Sequence, residues 1–315
     1  MGCENSGFDE LGYLSKYPDV AAAVTRGDFP SGEEHYQKFG KGEGRAPPGE
    51  APKREQFGCQ KFEYRAPSAQ TAVDVFQGHW ACDLGPLLGV VDTGSSNLFT
   101  GDRRPQMMAD ALGTAGRFDG MDILEIGPLE GAHSYAMERL GANSILAVES
   151  NREAWLKCLV VKELLDLRKT RFVLGDVNEF FRSTAQHFDA VLCSGVLYHM
   201  ADPVNFIRLM AGASNGCFVW THYFDEHINS AGFTGTEVRN DALTVTYWSH
   251  DYGELTGQFW GGVAPNSCWL SRDHLLATFA HFGLSEIEVL ADEPKHPHGP
   301  AILFAARRPG RELGS

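Results

Sequence analysis

The residues best suited to chemistry begin with a series of carboxylates and glycines. Glu125-Ile126-Gly127-Pro128-Leu129-Glu130-Gly131 sets a carboxylate just before a GxxxG spacing; Glu149 lies 22 residues beyond Gly127, and Asp176 sits in Leu174-Gly175-Asp176-Val177. A helix that opens on a glycine turn offers free N–H groups and a positive dipole end, and so attracts anions. Glu125 and Glu130 bring negative charge to that place, which opposes a diphosphate and favours a cationic ligand. A second group of candidates follows: Ser194-Gly195-Val196-Leu197-Tyr198-His199, then Trp220-Thr221-His222-Tyr223-Phe224-Asp225. Imidazoles and phenols are the usual proton acceptors and donors of transfer chemistry. His199 and His222, with Tyr198 and Tyr223, are therefore the catalytic candidates. Trp220, Asp225, Tyr247, Trp248 and Trp260 are the candidates for contact with an acceptor, since aromatic faces and carboxylates stabilise cationic species.

These residues need a scaffold, and residues 121–223 supply its pattern. MDILEIG, SILAVES, RFVLGD, FDAVLCSG and CFVWTH are apolar runs of strand length, and helical spacing separates them (Leu156, Leu159, Val160, Leu164 and Leu167 in one case). Ser150-Asn151-Arg152-Glu153 reads as a capping box, and Asp202-Pro203 as a cap with proline in the first turn. Near-continuous apolar strands between helices mean a parallel sheet covered on both faces, an α/β doubly wound fold. Residues 224–270 break the rhythm, with no clearly periodic segment, and loops of that length are usually functional; a lid is expected there. Ser271 then caps RDHLLATFAHF, and SEIEVL and AILFAARR close the pattern as two strands. The expected organisation is a helical N-terminal module over 1–50, a linker and cofactor-covering segment over 51–120, and the main domain over 121–315.

In such folds the ligand lies at the carboxyl ends of the strands. Glu125, Glu149 and Asp176 end strands and Glu130 lies in the loop beyond the first, so a cationic nucleoside ligand fits: Glu149 accepting from ribose hydroxyls, Asp176 from an adenine amine. S-adenosylmethionine, which has no phosphate and carries an ammonium and a sulfonium, meets that description. Over roughly residues 115–310 the chain resembles the class I S-adenosylmethionine-dependent methyltransferases, through EIGPLEG, AVES, LGDV and DAVLCSGVLYHMADP in order. The resemblance implies a seven-stranded, mostly parallel, Rossmann-like sheet in the order 3-2-1-4-5-7-6, with the last strand antiparallel. It implies cofactor contacts from Glu125, Gly127, Leu129, Gly131, Glu149, Ser150, Asp176, Val177 and Ser194. Leu129 departs from the family pattern, which often has glycine there.

Within that class, SGVLYHMADP is similar to tRNA wobble-uridine carboxymethyltransferases, whereas EIGPLEGAHSY and WTHYFDE resemble bacterial small-molecule enzymes, among which methionine S-methyltransferases are one subgroup. With 27 basic and 41 acidic residues, a net charge of −14 disfavours a nucleic-acid footprint. The expected function is methylation of a small polar metabolite, with a thioether sulfur as one acceptor. The alternatives are tRNA modification and cofactor binding without turnover. A dehydrogenase is excluded by the GxxxG spacing and by Glu130.

Other motifs carry less. Val91-Asp92-Thr93-Gly94-Ser95-Ser96 looks like an aspartic protease strand, but such chemistry needs two facing carboxylates, and no second DTG or DSG exists; a polar turn before a helix at Arg104–Leu112 is expected instead. His222, Asp225, Glu226, His227, His296 and His298 match no specific ligand spacing, so no metal is expected. Residues 1–6 fit a myristoylation pattern without a following basic cluster, and no lipid anchor is expected. No run of 18 apolar residues or secretory leader appears, and seven cysteines without a CxxC suggest a reducing, cytoplasmic setting. Residues 1–50 resemble a small helical docking module, which admits a homodimer.

Overall fold

A computed structural model describes residues 8, 10–41, 45, 62–240, 242–252 and 264–310. The chain divides into two compact units, residues 1–64 and 65–315. In the first, helices Glu10–Lys16, Pro18–Arg26 and Gly32–His35 surround the buried ring of Tyr13. The Glu10 carboxylate accepts from the Gly32 and Glu33 backbone N–H groups at 2.6 and 3.0 Å. One side chain thereby satisfies two of the orphan donors that begin the third helix.

The second unit is built on a sheet whose strands are, in chain order, β1 (Asp122–Ile126), β2 (Ser144–Glu149), β3 (Thr170–Leu174), β4 (Phe188–Ser194) and β5 (Ser214–His222). After an insertion holding β6 (Thr234–Asn240), β7 (Leu243–Asp251) and β8 (Asn266–Trp269), β9 (Glu286–Glu293) and β10 (Ala301–Arg307) complete it. The spatial order is β3-β2-β1-β4-β5-β10-β9, with β10 antiparallel to both neighbours and the first five strands parallel. Both faces are covered. Leu124 and Ile126 join a core with Phe206, Ile207, Met210 and Phe279 from helices Pro203–Gly212 and Arg272–His281. Ile123, one pleat away, joins Met108, Leu112 and Met137 from helices Arg104–Leu112 and Ala132–Arg139. Neighbouring strand residues serve opposite layers, which is why the strands read as continuous apolar runs.

Two local expectations are corrected. The helix Arg152–Leu164 is capped by Asn151, whose side chain accepts from Glu153 and Ala154 N–H, not by a capping box from Ser150. The insertion is not an irregular loop: β6, β7 and β8 form a three-stranded antiparallel sheet. Its Thr-rich, half-exposed strands bury little beyond Val245 and the β8 face, so hydrophobic alternation gives weak warning of them. The helix Arg104–Leu112 forms where expected. The DTGSS turn before it packs edge-on against residues 80–82: a Cβ on Gly94 would lie 2.1 Å from the Ala81 carbonyl oxygen.

Candidate active site

Three glycines mark the strand exits. Gly127 donates its N–H to Val148 O (2.9 Å), Gly175 to Glu149 O (2.9 Å) and Gly195 to Trp220 O (3.0 Å), so each turns the chain immediately past its strand. Gly127 and Gly195 do so at φ of +67° and +81°, a region that suits glycine. Beyond them opens a cavity of about 760 Å³. Its walls include Gly127, Leu129, Glu149, Ser150, Asp176 and Val177 on one side, and Gly195, Tyr198, His199, Asp202 and Ala264 on the other. The volume lies in the range of cofactor and ligand sites.

The carboxylates on the first side are held by backbone. Glu149, buried at the end of β2, accepts from Asn151 N–H at 2.8 Å and Leu129 N–H at 3.2 Å. Burial raises its carboxyl above the ordinary value, and these N–H groups partly offset that. Asp176 caps the helix Val177–Ser183 through Oδ1, which accepts from Asn178 and Glu179 N–H at 2.9 and 3.0 Å. The cap and the cavity wall are thus one residue. A Cβ on Gly127 would stand 2.7 Å from Val196 Cγ2, while at Gly175 nothing lies within 4 Å. The floor is tight at β1 and roomy at β3, where a nucleoside would lie. Carboxylate acceptors at the strand ends and this space fit S-adenosylmethionine.

Glu125 and Gly131 do not line the cavity. Glu125 is wholly buried on the face of β1 shared with Ile123; it accepts from the Ser134 hydroxyl, and burial raises its carboxyl. His133 Nδ1 stands 3.8 Å from Glu125 Oε1, and His133 Nε2 contacts Asp102 at 2.8 Å. Burial would raise the Asp102 carboxyl, but hydrogen bonds from His133 and Arg104 outweigh it and hold the group well below the carboxylate range. Arg104 in turn donates to Ser194 Oγ at 2.7 Å and lies 5.5 Å from the Trp220 ring. Sequence reasoning missed Asp102 and His133, whose place in this chain depends on contacts far along the sequence. Glu130 also requires correction. Its carboxylate turns from the ligand side to accept from Ala81 and Cys82 N–H at 2.9 and 2.8 Å, with Lys157 at 3.2 Å. It is neutralised, so the charge argument against a diphosphate rests on the other acids.

The second side is aromatic. His199 lines the cavity, and its Nδ1 lies 2.8 Å from the Tyr252 hydroxyl. That hydroxyl also lies 3.4 Å from the Tyr198 carbonyl oxygen, so Tyr252 ties His199 to the backbone of the preceding residue. Burial lowers the imidazole to about 4 and pushes the Tyr198 phenol up to about 12; both are neutral near pH 7. His222 sits behind them, outside the main cavity, with Nδ1 donating to Gly299 O at 3.0 Å and its ring stacked on Trp269. Trp220 packs edge-on to Tyr198, with ring centroids 6.1 Å apart.

Other candidates face elsewhere. The Tyr223 hydroxyl donates to Asp292 at 2.9 Å, towards β9. Asp225 closes a turn by accepting from His227 N–H, and Trp248 stacks on Phe224 at 3.8 Å. Tyr247 donates to Asp202 at 2.6 Å and so reaches the cavity wall indirectly. Trp260 lies outside the described residues, as does most of the β7–β8 connection. Tyr252 and Trp269 are among the insertion's contacts with this wall, and Trp269 was missed from sequence. Among the described residues no group of three or more His, Cys, Asp or Glu could hold a metal, and no helix is long and apolar enough to cross a membrane.

Comparison with known proteins agrees with this fold. A family model described as a methyltransferase domain matches residues 124–214, from β1 to the start of β5. The N-terminal domain of EvdMO1 with SAH bound is 25% identical, with a TM-score of 0.56 over 76% of this chain and 95% of that one. The same domain in the presence of SAH and D-fucose gives 26% identity and a TM-score of 0.55, with the same coverage. A tRNA U34 carboxymethyltransferase of Campylobacter hominis is 26% identical over 96 residues, which is 30% of this chain. That match spans a third of the relative's length, 33%. Fold, strand-end motifs and domain match agree, and the chain carries an S-adenosylmethionine-dependent methyltransferase domain.

Proposed function

We propose that this methyltransferase acts on a hydroxyl of a small polar metabolite, with Glu149 and Asp176 seating the nucleoside and His199 accepting the hydroxyl proton. The carrying observation is the neutral His199 in the cavity wall with its Nδ1 engaged by Tyr252; with the ring proton on Nδ1, Nε2 is the acceptor this reading requires. S-adenosylmethionine supplies an electrophilic methyl on a cationic sulfur. An uncharged imidazole tolerates that sulfonium beside it, whereas a protonated one would repel it. His199 becomes cationic only as the methyl leaves and the sulfonium charge is lost, so the wall carries one positive charge throughout. A thioether acceptor needs no base and would leave this residue without a task. The similar domain studied with SAH and D-fucose supports a sugar-like hydroxyl. Five buried thiols among the described cysteines support a reducing, cytoplasmic setting.

The test is a partition of label. The protein is incubated with methyl-labelled S-adenosylmethionine and cell extract, and label is counted in metabolite, RNA and protein fractions. Label in metabolites as an O-methyl group is the expected result, with His199→Asn lowering kcat at least about 100-fold, the usual worth of a positioned base, while SAH still binds. A sulfonium product would overturn the hydroxyl assignment. Label in RNA would favour the tRNA reading, for which the partial match to the carboxymethyltransferase is the supporting observation. No label in any fraction would favour cofactor binding without turnover.

A further inference from the structure

Leu129 occupies the second turn of the cofactor loop at φ of +56°. Few non-glycine residues adopt this left-handed conformation, because the Cβ crowds the following carbonyl. The neighbouring Gly127 and Gly131 take positive φ without that cost. Leu129 must keep the conformation for the site to form, because its N–H meets Glu149 at 3.2 Å and both residues line the cavity. On the other side its carbonyl oxygen accepts from the Cys158 thiol at 3.4 Å. A bond from Gly131 N–H to Pro128 O at 2.8 Å closes the turn around Leu129, but it lies within the loop and does not fasten the loop to the segment packed outside it.

The next residue offers the missing restraint. Glu130 is buried, and its two carboxylate oxygens are divided between consecutive backbone N–H groups, Ala81 and Cys82. Lys157, also buried, pairs with it at 3.2 Å and donates to the His79 carbonyl oxygen, with its ammonium 5.7 Å from the Trp80 ring. The segment that receives this clamp is itself fixed: Trp80 Nε1 donates to Val73 O at 2.8 Å, and Gly94 N–H to Cys82 O at 2.9 Å. A charge-assisted, two-pronged bond from a rigid segment is therefore made one peptide away from the strained residue. We propose that Glu130, seated by Lys157 on residues 79–82, is a positioning residue that keeps Leu129 left-handed and so sets the affinity of the cofactor loop. Residues 65–101 then act on the cofactor without reaching it, by replacing the conformational freedom of a glycine that this loop lacks. The inference rests on the assignment of this cavity to S-adenosylmethionine.

Calorimetry with SAH on the full chain tests it, in the Glu130→Gln, Leu129→Gly and double variants. Glutamine has one acceptor oxygen, so its amide N–H₂ must face one of the two backbone N–H groups. Glu130→Gln should weaken SAH binding about tenfold, matching roughly one left-handed residue's strain. Leu129→Gly sets the affinity of a loop with no strained residue, and the double variant should bind SAH no more weakly than Leu129→Gly alone, because glycine holds φ of +56° without a clamp. A purely structural role would instead lower the melting temperature of Glu130→Gln and of the double variant alike, with no recovery of affinity; that result overturns the proposal. Lys157→Met, which removes the counter-charge but retains an apolar stem against Trp80, must show the same loss and the same rescue by Leu129→Gly if Glu130→Gln does not fold. Wild-type protein that fails to bind SAH would overturn the cofactor assignment as well, whereas binding without rescue overturns the clamp alone.

Discussion

The two walls of the cavity are made in different ways. On the cofactor side each acid is held by backbone no more than 20 residues away: Glu149 by Asn151 next to it and by Leu129 at the end of the neighbouring strand's turn, Asp176 by Asn178 and Glu179. On the acceptor side the groups hold one another, often across long stretches of chain. Tyr252 meets His199 across 53 residues, Trp269 Nε1 donates to the Tyr198 carbonyl oxygen across 71, and His222 reaches Gly299 across 77. The first wall inherits its geometry from the sheet, where strand ends and helix starts leave little choice. The second depends on an inserted sheet that other members of the class need not share. A common cofactor and a particular acceptor are what such a division would serve.

The largest effect should come from removing the best-anchored acid. Glu149→Ala deletes a carboxylate assigned to two ribose hydroxyls and also releases Leu129 N–H. Hydrogen bonds to charged groups contribute about 1.5–3 kcal/mol each, so SAH affinity should fall about 100-fold by calorimetry. Acceptor KM measured at saturating cofactor should hardly move. An equal loss on both sides would mean that the two walls are one mechanical unit, and the comparison would fail.

This division also explains what could be read from sequence. The five strands, the capping by Asp202 and Ser271 and the strand-end acids all follow from patterns spanning fewer than about twenty residues, because backbone hydrogen bonding enforces them locally, whereas the strand order came only from the family resemblance. Asp176 was legible as an acid at a strand end and as a helix cap, and it is both. The orientation of Glu130 was not legible: its partners Ala81 and Cys82 contribute only N–H groups, which any residue carries. Tyr223 and Trp248 share the composition of a substrate pocket, yet one bonds Asp292 and the other stacks on Phe224. Aromatic side chains pack cores and pockets alike, so composition could not separate them from Tyr252 and Trp269.

A second test uses pH to isolate the acceptor wall. Burial lowers the His199 imidazole from 6.5 to about 4, and lowers His222 and His250 in the same sense. Between those values the unfolded chain binds more protons than the folded one, so stability is full above about 6.5 and is lost as pH falls towards 4. Glu125 and Glu149 act oppositely, since burial raises both carboxyls and favours the fold while they stay protonated. The folding equilibrium from urea titrations should drop more between pH 7 and 5 in wild type than in His199→Asn, by roughly tenfold for the single imidazole. Equal drops in the two proteins would show that His199 is solvated, and the acceptor wall would lose its neutral base.

The smallest expected effect separates the two duties of one residue. Asp176 caps its helix through Oδ1 alone, which leaves Oδ2 outside the cap while the residue lines the cavity. Asparagine caps helices as well as aspartate, but it has a single acceptor oxygen. In Asp176→Asn the cap claims that oxygen, and the amide N–H₂ is then turned to the cavity, donor towards donor if an adenine amine lies there. Thermal stability should stay within about 0.5 kcal/mol of wild type, while SAH affinity falls about fivefold, the worth of one modest hydrogen bond. Asp176→Ala should lose both, stability by about 1 kcal/mol and affinity by a similar factor. If Asp176→Asn binds SAH like wild type, Asp176 is a cap alone, and nucleoside recognition on the cofactor wall falls to Glu149 and the backbone around it.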